Sequence, residues 1–230
     1  MNLNVADVIW AYGLSVMAAV GIVMSEPQSP SILAPVLLLL WSLRLGTYLA
    51  RSRLGIGKKE DARYQNLRER YPSHQGLVIF IIFLMQGVMI LLFSLPPFFV
   101  ILSQPSEWLW PLIGMTWGLA CIAGEALADF QLRTYQKSHP PSNAVFRSGL
   151  WAYTRHPNYF FEWMFWWSFV FMTWGTSYWA AGLLGPIVMG IFLWKVTGIA
   201  SLEAQSVKKR PDYARYQQEV SAFFPWFPKS

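Results

Sequence analysis

Glu125, Asp129, Arg133 and Lys137 recur at every fourth position, so a helix through them carries two carboxylates and two cations in one stripe. Ordinary i,i+4 ion pairs account for Arg133 and Lys137. They account less well for Glu125 and Asp129, because the stripe emerges from an apolar run, and carboxylates near the end of a membrane helix are costly unless they face a cavity or a partner. A second constellation lies in residues 146–169, FRSGLWAYTRHPNYFFEWMFWWSF. Ser148-Gly149 permits a tight turn, and Pro157 suits the first turn of a helix. The amides of a helix starting near Arg155-His156, flanked by Arg147 and Arg155, form a seat for phosphate. Asn158 and Glu162 fall four apart on one face of that helix. His156 alone suits a capping or interface role, but the Arg-His-Pro-Asn-Tyr run that contains it, followed by a carboxylate at Glu162 inside an otherwise aromatic segment, is not explained by packing, so His156 joins the candidate cofactor residues.

The elements that position these groups are apolar spans. Hydrophobic residues make up 54% of the 230 residues and charged residues 13%, against about 25% charged in soluble domains. A single soluble core of this size cannot hide that much apolar surface. Apolar runs fall at about 5–23, 31–49, 76–103, 108–126, 158–175 and 178–200, each long enough to cross a bilayer core of ~30 Å. The expected fold is all-α: one polytopic integral membrane domain over 1–230 with about six transmembrane helices, or seven. Pro96-Pro97 is expected to break or kink the third run.

Sixteen of the eighteen Lys and Arg residues fall in three segments, 50–75, 127–157 and 201–230, and none falls in the connections 24–30, 104–107 and 175–177. The positive-inside rule puts the basic segments, and with them both termini, in the cytoplasm. Segments 127–157 and 201–230 are then a cytoplasmic loop and tail. This placement assigns the net charge of +6 to topology and anionic lipid rather than to nucleic acid. The single cysteine, Cys121, cannot form an internal disulfide, and no CxxC or HxxxH spacing suggests a metal site. The opening MNLNVAD lacks the basic region of a cleavable signal, so the first span is expected to stay.

GLWAYTRHPNYFFEW (149–163) resembles the C-terminal signature of the steroid 5α-reductase superfamily, most closely a bacterial branch with the pattern G-L-W-x-x-[ST]-R-H-P-N-Y-x-x-E. Trp41-Ser42-Leu43-Arg44-Leu45, Asp61-Ala62-Arg63-Tyr64, Ala128-Asp129-Phe130-Gln131, Tyr213 with Tyr216, and Phe224-Pro225-Trp226-Phe227-Pro228 extend the likeness over roughly residues 30–230. More distantly the chain is similar to sterol reductases and isoprenylcysteine carboxyl methyltransferases, which share Arg-His-Pro. The resemblance implies an integral protein of a bacterial inner membrane whose cytoplasmic half clamps a nucleotide and whose lipid substrate enters from the bilayer. By that resemblance, Asn158 and Glu162 match the Asn and Glu of an N-[YF]-x-G-E cofactor motif. Asp129 matches a cofactor-contacting Asp, Glu125 stands where an Asn does, Arg44 matches a basic residue after the second span, and Tyr216 matches a tail tyrosine. Phe161 replaces the motif's glycine. The Gln-Glu pair of steroid reductases has no match, so a 3-oxosteroid is not implied.

The leading expectation is an NADPH-dependent reductase of a lipid C=C bond. No glycine-rich GxGxxG turn is present, so side chains of helices and loops must hold the nucleotide. Arg133, Arg147, Arg155 and Lys208 are its phosphate partners by charge. Tyr64, Tyr153 and Tyr159 are the candidate proton donors, left unranked. The alternatives are an S-adenosylmethionine-dependent membrane methyltransferase, to which Glu203 and the tail tyrosines lend support, and a non-catalytic lipid-binding protein.

Overall fold

A computed structural model describes residues 2–55, 59–138, 141, 143–196 and 199–229. Lys58 and part of the 178–200 run lie outside the described residues. All regular structure among the described residues is helical: α1 Asn4–Met24, α2 Leu33–Arg53, α3 Ala62–Arg70, α4 Gln75–Ser103, α5 Leu109–Lys137, α6 Pro157–Met172, α7 Trp179–Gly182, α8 Leu184–Ile191, α9 Ile199–Lys209 and α10 Tyr213–Glu219. A π turn, Phe192–Val196, follows α8.

Helices α1, α2, α4 and α5 are each long and apolar enough to cross a membrane. The last two apolar runs form shorter helices. Trp179–Lys195 is a shorter apolar stretch, and α6 has 16 residues, about 24 Å at the α-helical rise. The chain is therefore a polytopic, all-helical protein of membrane type. The expected break at Pro96-Pro97 does not occur: both prolines are buried inside α4, which continues to Ser103. The two prolines remove the amide donors to the Leu92 and Phe93 carbonyls, a loss that a membrane helix tolerates where neighbouring groups pack against it.

The main packing seams are α5 along α6 and α1 along α2, with α4 closing over α1. Small residues set the first seam. A Cβ added at Gly114 would lie 2.5 Å from the Ser168 carbonyl oxygen, and one at Gly118 would lie 2.8 Å from Ser168 Oγ, so only glycine lets these backbones approach. Their antiparallel contact brings the late turns of α5, with Glu125 and Asp129, beside the first turns of α6, with Asn158 and Glu162. Beneath them is an aromatic core. Trp41 stacks on Phe165 with centroids 5.2 Å apart, and Trp166 tilts against Phe93 at 4.7 Å.

Two polar devices fasten the rest. The start of α1 holds the connection before α3. Asn4 Nδ2 donates to the Arg53 and Lys59 carbonyls at 3.2 and 3.0 Å, and the Leu3 amide donates to Glu60 at 2.7 Å. At the other end of the chain, the Arg155 amide donates to the Ser221 carbonyl at 2.9 Å, Thr154 Oγ1 donates to the Phe223 carbonyl at 2.9 Å, and the Trp226 amide donates to the Tyr153 carbonyl at 2.9 Å. The C-terminal arm is thereby tied to the turn that precedes α6.

Candidate functional site

Three helices, α2, α5 and α6, meet around a buried polar pole. Arg44, from α2, forms ion pairs with Glu125 and Asp129 of α5. Asn158 Nδ2 donates to Asp129 Oδ1 at 3.3 Å. Glu162 accepts from two indoles, Trp41 Nε1 at 3.0 Å and Trp166 Nε1 at 3.4 Å. Glu125 Oε2 is buried with no hydrogen-bond donor. Such an oxygen is a costly feature in a folded interior unless something else supplies the donor.

Glu125, Asp129, Asn158 and Glu162 line one cavity of about 500 Å³, within the size range of small-molecule sites. Most of the remaining wall is apolar: Leu45 and Leu49 of α2, Ile82, Met85 and Met89 of α4, and Met189, Phe192 and Leu193 of α8 and the π turn. At its rim is a second polar group centred on Asp7 of α1. Arg53 pairs with Asp7, Arg63 Nη2 reaches it at 3.1 Å, and the Tyr64 hydroxyl donates to it at 2.6 Å. Burial and the adjacent Asp7 carboxylate raise Tyr64 above the usual tyrosine range. A neighbouring groove of about 480 Å³ shares Tyr48 and Asp129 with the cavity and adds Arg51 and Arg133. There the Arg133 guanidinium lies 4.1 Å from the Tyr48 ring centroid, and its Nη2 donates to the Tyr48 carbonyl at 3.1 Å.

The sequence-derived residues divide into two groups. Arg44, Glu125, Asp129, Asn158, Glu162, Tyr64 and Tyr159 converge on the cavity or its polar pole, with Arg133 next door. Arg147, Arg155, His156 and Tyr216 gather instead at the C-terminal arm. Arg155 grips Glu203 through Nε at 2.6 Å and Nη2 at 3.0 Å, and His156 Nε2 lies 3.1 Å from the same carboxylate. Arg147 binds Glu219 at 2.6 Å and lies over the Tyr216 ring. The Tyr216 hydroxyl donates to the Trp151 carbonyl at 2.5 Å. The expected phosphate seat is thus filled by the protein's own tail: the cations have carboxylate partners, and the Arg155 amide is bonded. Lys208 is exposed on α9, and Tyr153 is exposed and edges against Phe227. Neither lines the cavity.

Burial alone would raise Glu203, but hydrogen bonds from His156, Arg155 and Gln217 and the Arg155 charge carry its carboxyl down to about 2. Asp7, Arg53, Tyr48 and Gln86 are cavity residues the sequence reading did not single out, and Arg63 entered it only within the Asp61–Tyr64 likeness. For Asp7 a signal existed, namely a carboxylate in the first turn of an apolar span.

Among the described residues, no cluster of His, Cys, Asp and Glu could hold a metal ion. No curated protein and no solved structure matches the chain. One protein family, described as "Protein of unknown function (DUF1295)", matches residues 1–220. With the match covering nearly the whole length, the chain belongs to the DUF1295 family.

Proposed function

We propose that the protein is a membrane-embedded, NADPH-dependent reductase of a C=C bond in a lipid of sterol-like, isoprenoid or fatty acyl type, akin to the steroid 5α-reductase superfamily. The observation that carries this reading is a cavity with an acidic, amide-bearing pole, a second polar group around Asp7 at its rim, and a largely apolar wall between them. The buried open acceptor in this pole suits a group that brings an N–H or O–H donor. Glu125 Oε2 lacks a donor, and the carboxamide or ribose of a nicotinamide nucleotide offers several. Asn158, Glu162, Glu125 and Asp129 would hold that end. Arg133, beyond Tyr48, has no carboxylate partner among the described residues and is the cation near the cavity open to a phosphate, whereas Arg53 and Arg63 at the rim are already paired with Asp7 and Asp61. The bound cofactor supplies hydride to one alkene carbon. The chain's own tasks are to exclude water, to orient the lipid along the apolar wall and to deliver a proton to the second carbon. Of the three tyrosines considered for that proton, Tyr64 and Tyr159 line the cavity.

Purified protein is expected to bind NADPH in the micromolar range, roughly −8 kcal/mol, in preference to S-adenosylmethionine. Glu162→Gln preserves side-chain shape and should leave the melting temperature in detergent close to wild type while weakening NADPH binding by about 1–3 kcal/mol. Affinity unchanged in that variant removes Glu162 from the site, and tight S-adenosylmethionine binding without any NADPH signal replaces the reductase with a methyltransferase.

The same reading needs the basic segments on the cofactor's side of the membrane. Reporter fusions after Ser29 and after Thr176 should register outside, and a fusion at the C-terminus inside. The reversed pattern would put the nucleotide on the wrong face.

A further inference from the structure

Between residues 76 and 93 of α4, one side chain carries an amide, hydroxyl or charge, and it is Gln86. An amide in the apolar part of a membrane helix is expensive without a partner and commonly marks a packing contact or a binding path. Gln86 is half-buried and has no hydrogen-bond partner among the described residues. It lies in the wall of the cavity, on the stripe Ile82, Met85, Gln86, Met89, whose i, i+3, i+4, i+7 spacing is one helix face. Across from α4, the cavity is walled by Met189, Phe192 and Leu193, the last two presented by the π turn. A π turn is uncommon and is frequently found at functional sites. The result is an apolar slot, rich in flexible methionines, with one uncommitted amide in its wall.

We infer that Gln86 recognises an oxygen of the lipid substrate, a carbonyl or hydroxyl, and so selects an oxygenated lipid over a plain hydrocarbon polyene. This rests on the reading that the cavity receives a lipid. The carboxylates at the other pole accept hydrogen bonds, and their donors are mostly used. Gln86 is the uncommitted side chain in the apolar wall that can donate to a carbonyl, and its own oxygen can accept from a hydroxyl. A site built to hydrogen-bond a ligand rejects an analogue without the group, because the buried amide is then left unpaired. The flanking methionines adapt to chain shape, so the amide is the more selective feature of this wall.

The test uses full-length protein in detergent without cofactor, reading quenching of intrinsic tryptophan fluorescence. The probes are a long-chain α,β-unsaturated methyl ketone and the terminal alkene of equal length. Wild type should bind the ketone about tenfold more tightly than the alkene. Gln86→Leu suits an apolar helix and should fold, keep the alkene affinity and lose the preference. Gln86→Asn, with the amide one methylene shorter, should retain part of it. No preference in wild type, a preference that survives in Gln86→Leu, or equal loss of both probes would each overturn the inference. So would a change in oligomeric state of Gln86→Leu with ketone binding intact, which would make Gln86 a helix–helix contact. NADPH affinity measured on the same preparations should not change with Gln86. A ketone preference that depends on Gln86 in a wild-type protein that binds no NADPH would sink the reductase reading and leave lipid recognition standing.

Discussion

Arg44→Leu should abolish a stable fold, and neutralising its partners should restore one. The Arg44 side chain is 16% exposed, and those of Glu125 and Asp129 are 6% exposed each. Removing one member of a buried pair leaves an uncompensated charge and typically costs about 3–5 kcal/mol. Here the deficit is sharper, because Glu162 adds a third carboxyl group to the same pole. The expected result is a fall in melting temperature of about 10 °C or more, or failure to purify as a monodisperse species. The triple variant Arg44→Leu, Glu125→Gln, Asp129→Asn keeps the volume of the carboxylates and removes their charge, and it should recover most of the loss. Mere lost packing from Arg44 would instead leave the triple variant as unstable as the single one. A single variant melting within about 2 °C of wild type would show that the pole does not need its cation.

The same cluster marks how far the sequence could be read. That Glu125 and Asp129 share a face follows from a spacing of four, and that face does point into a cavity. Helical spacing also offers Arg133 and Lys137 as their partners, and this is where local periodicity stops being informative. The cation comes from Arg44, on another helix, while Arg133 turns to the carbonyl and ring of Tyr48. Periodicity relates residues within one element; pairing across elements depends on how glycines such as Gly114 and Gly118 let the helices seat. Arg155 and His156 show the same limit with the opposite sense. Basic groups at a helix start are legible as an anion site, but the anion they hold is Glu203, 48 residues along the chain. The long spans α1, α2, α4 and α5 were plain from hydropathy, because twenty apolar residues have few soluble uses. The length of α6 was not plain, since tryptophan and phenylalanine suit both lipid and a tight aromatic core.

Glu203→Ala is expected to release the C-terminal arm. The carboxylate receives four side-chain hydrogen bonds, two from Arg155, one from Gln217 at 2.9 Å and one involving His156. Arg155 also donates to the carbonyls of Gln217 and Val220, so it is the pin through α9, the arm and the turn before α6. Without Glu203 the guanidinium is left buried with only neutral partners, a change of about 3–5 kcal/mol by analogy with other broken buried pairs. The arm, α9 to Phe227, should then become cleavable by added trypsin after Lys208, Lys209 and Arg215, while α1 to α6 stay intact. Acid should reproduce the effect in wild type. The Glu203 carboxyl sits at about 2, against 4.5 for an ordinary glutamate. A depressed folded value means that its stabilisation is complete above about 4.5 and is lost as pH falls through about 2. Arm release, followed by an acid-active protease such as pepsin, should therefore rise between those limits in wild type. In Glu203→Gln that step should be missing, with the arm already loosened at neutral pH. An arm equally protected in wild type and in Glu203→Ala at neutral pH would show that the aromatic contacts of Phe223 and Phe224 hold it without the ion pair.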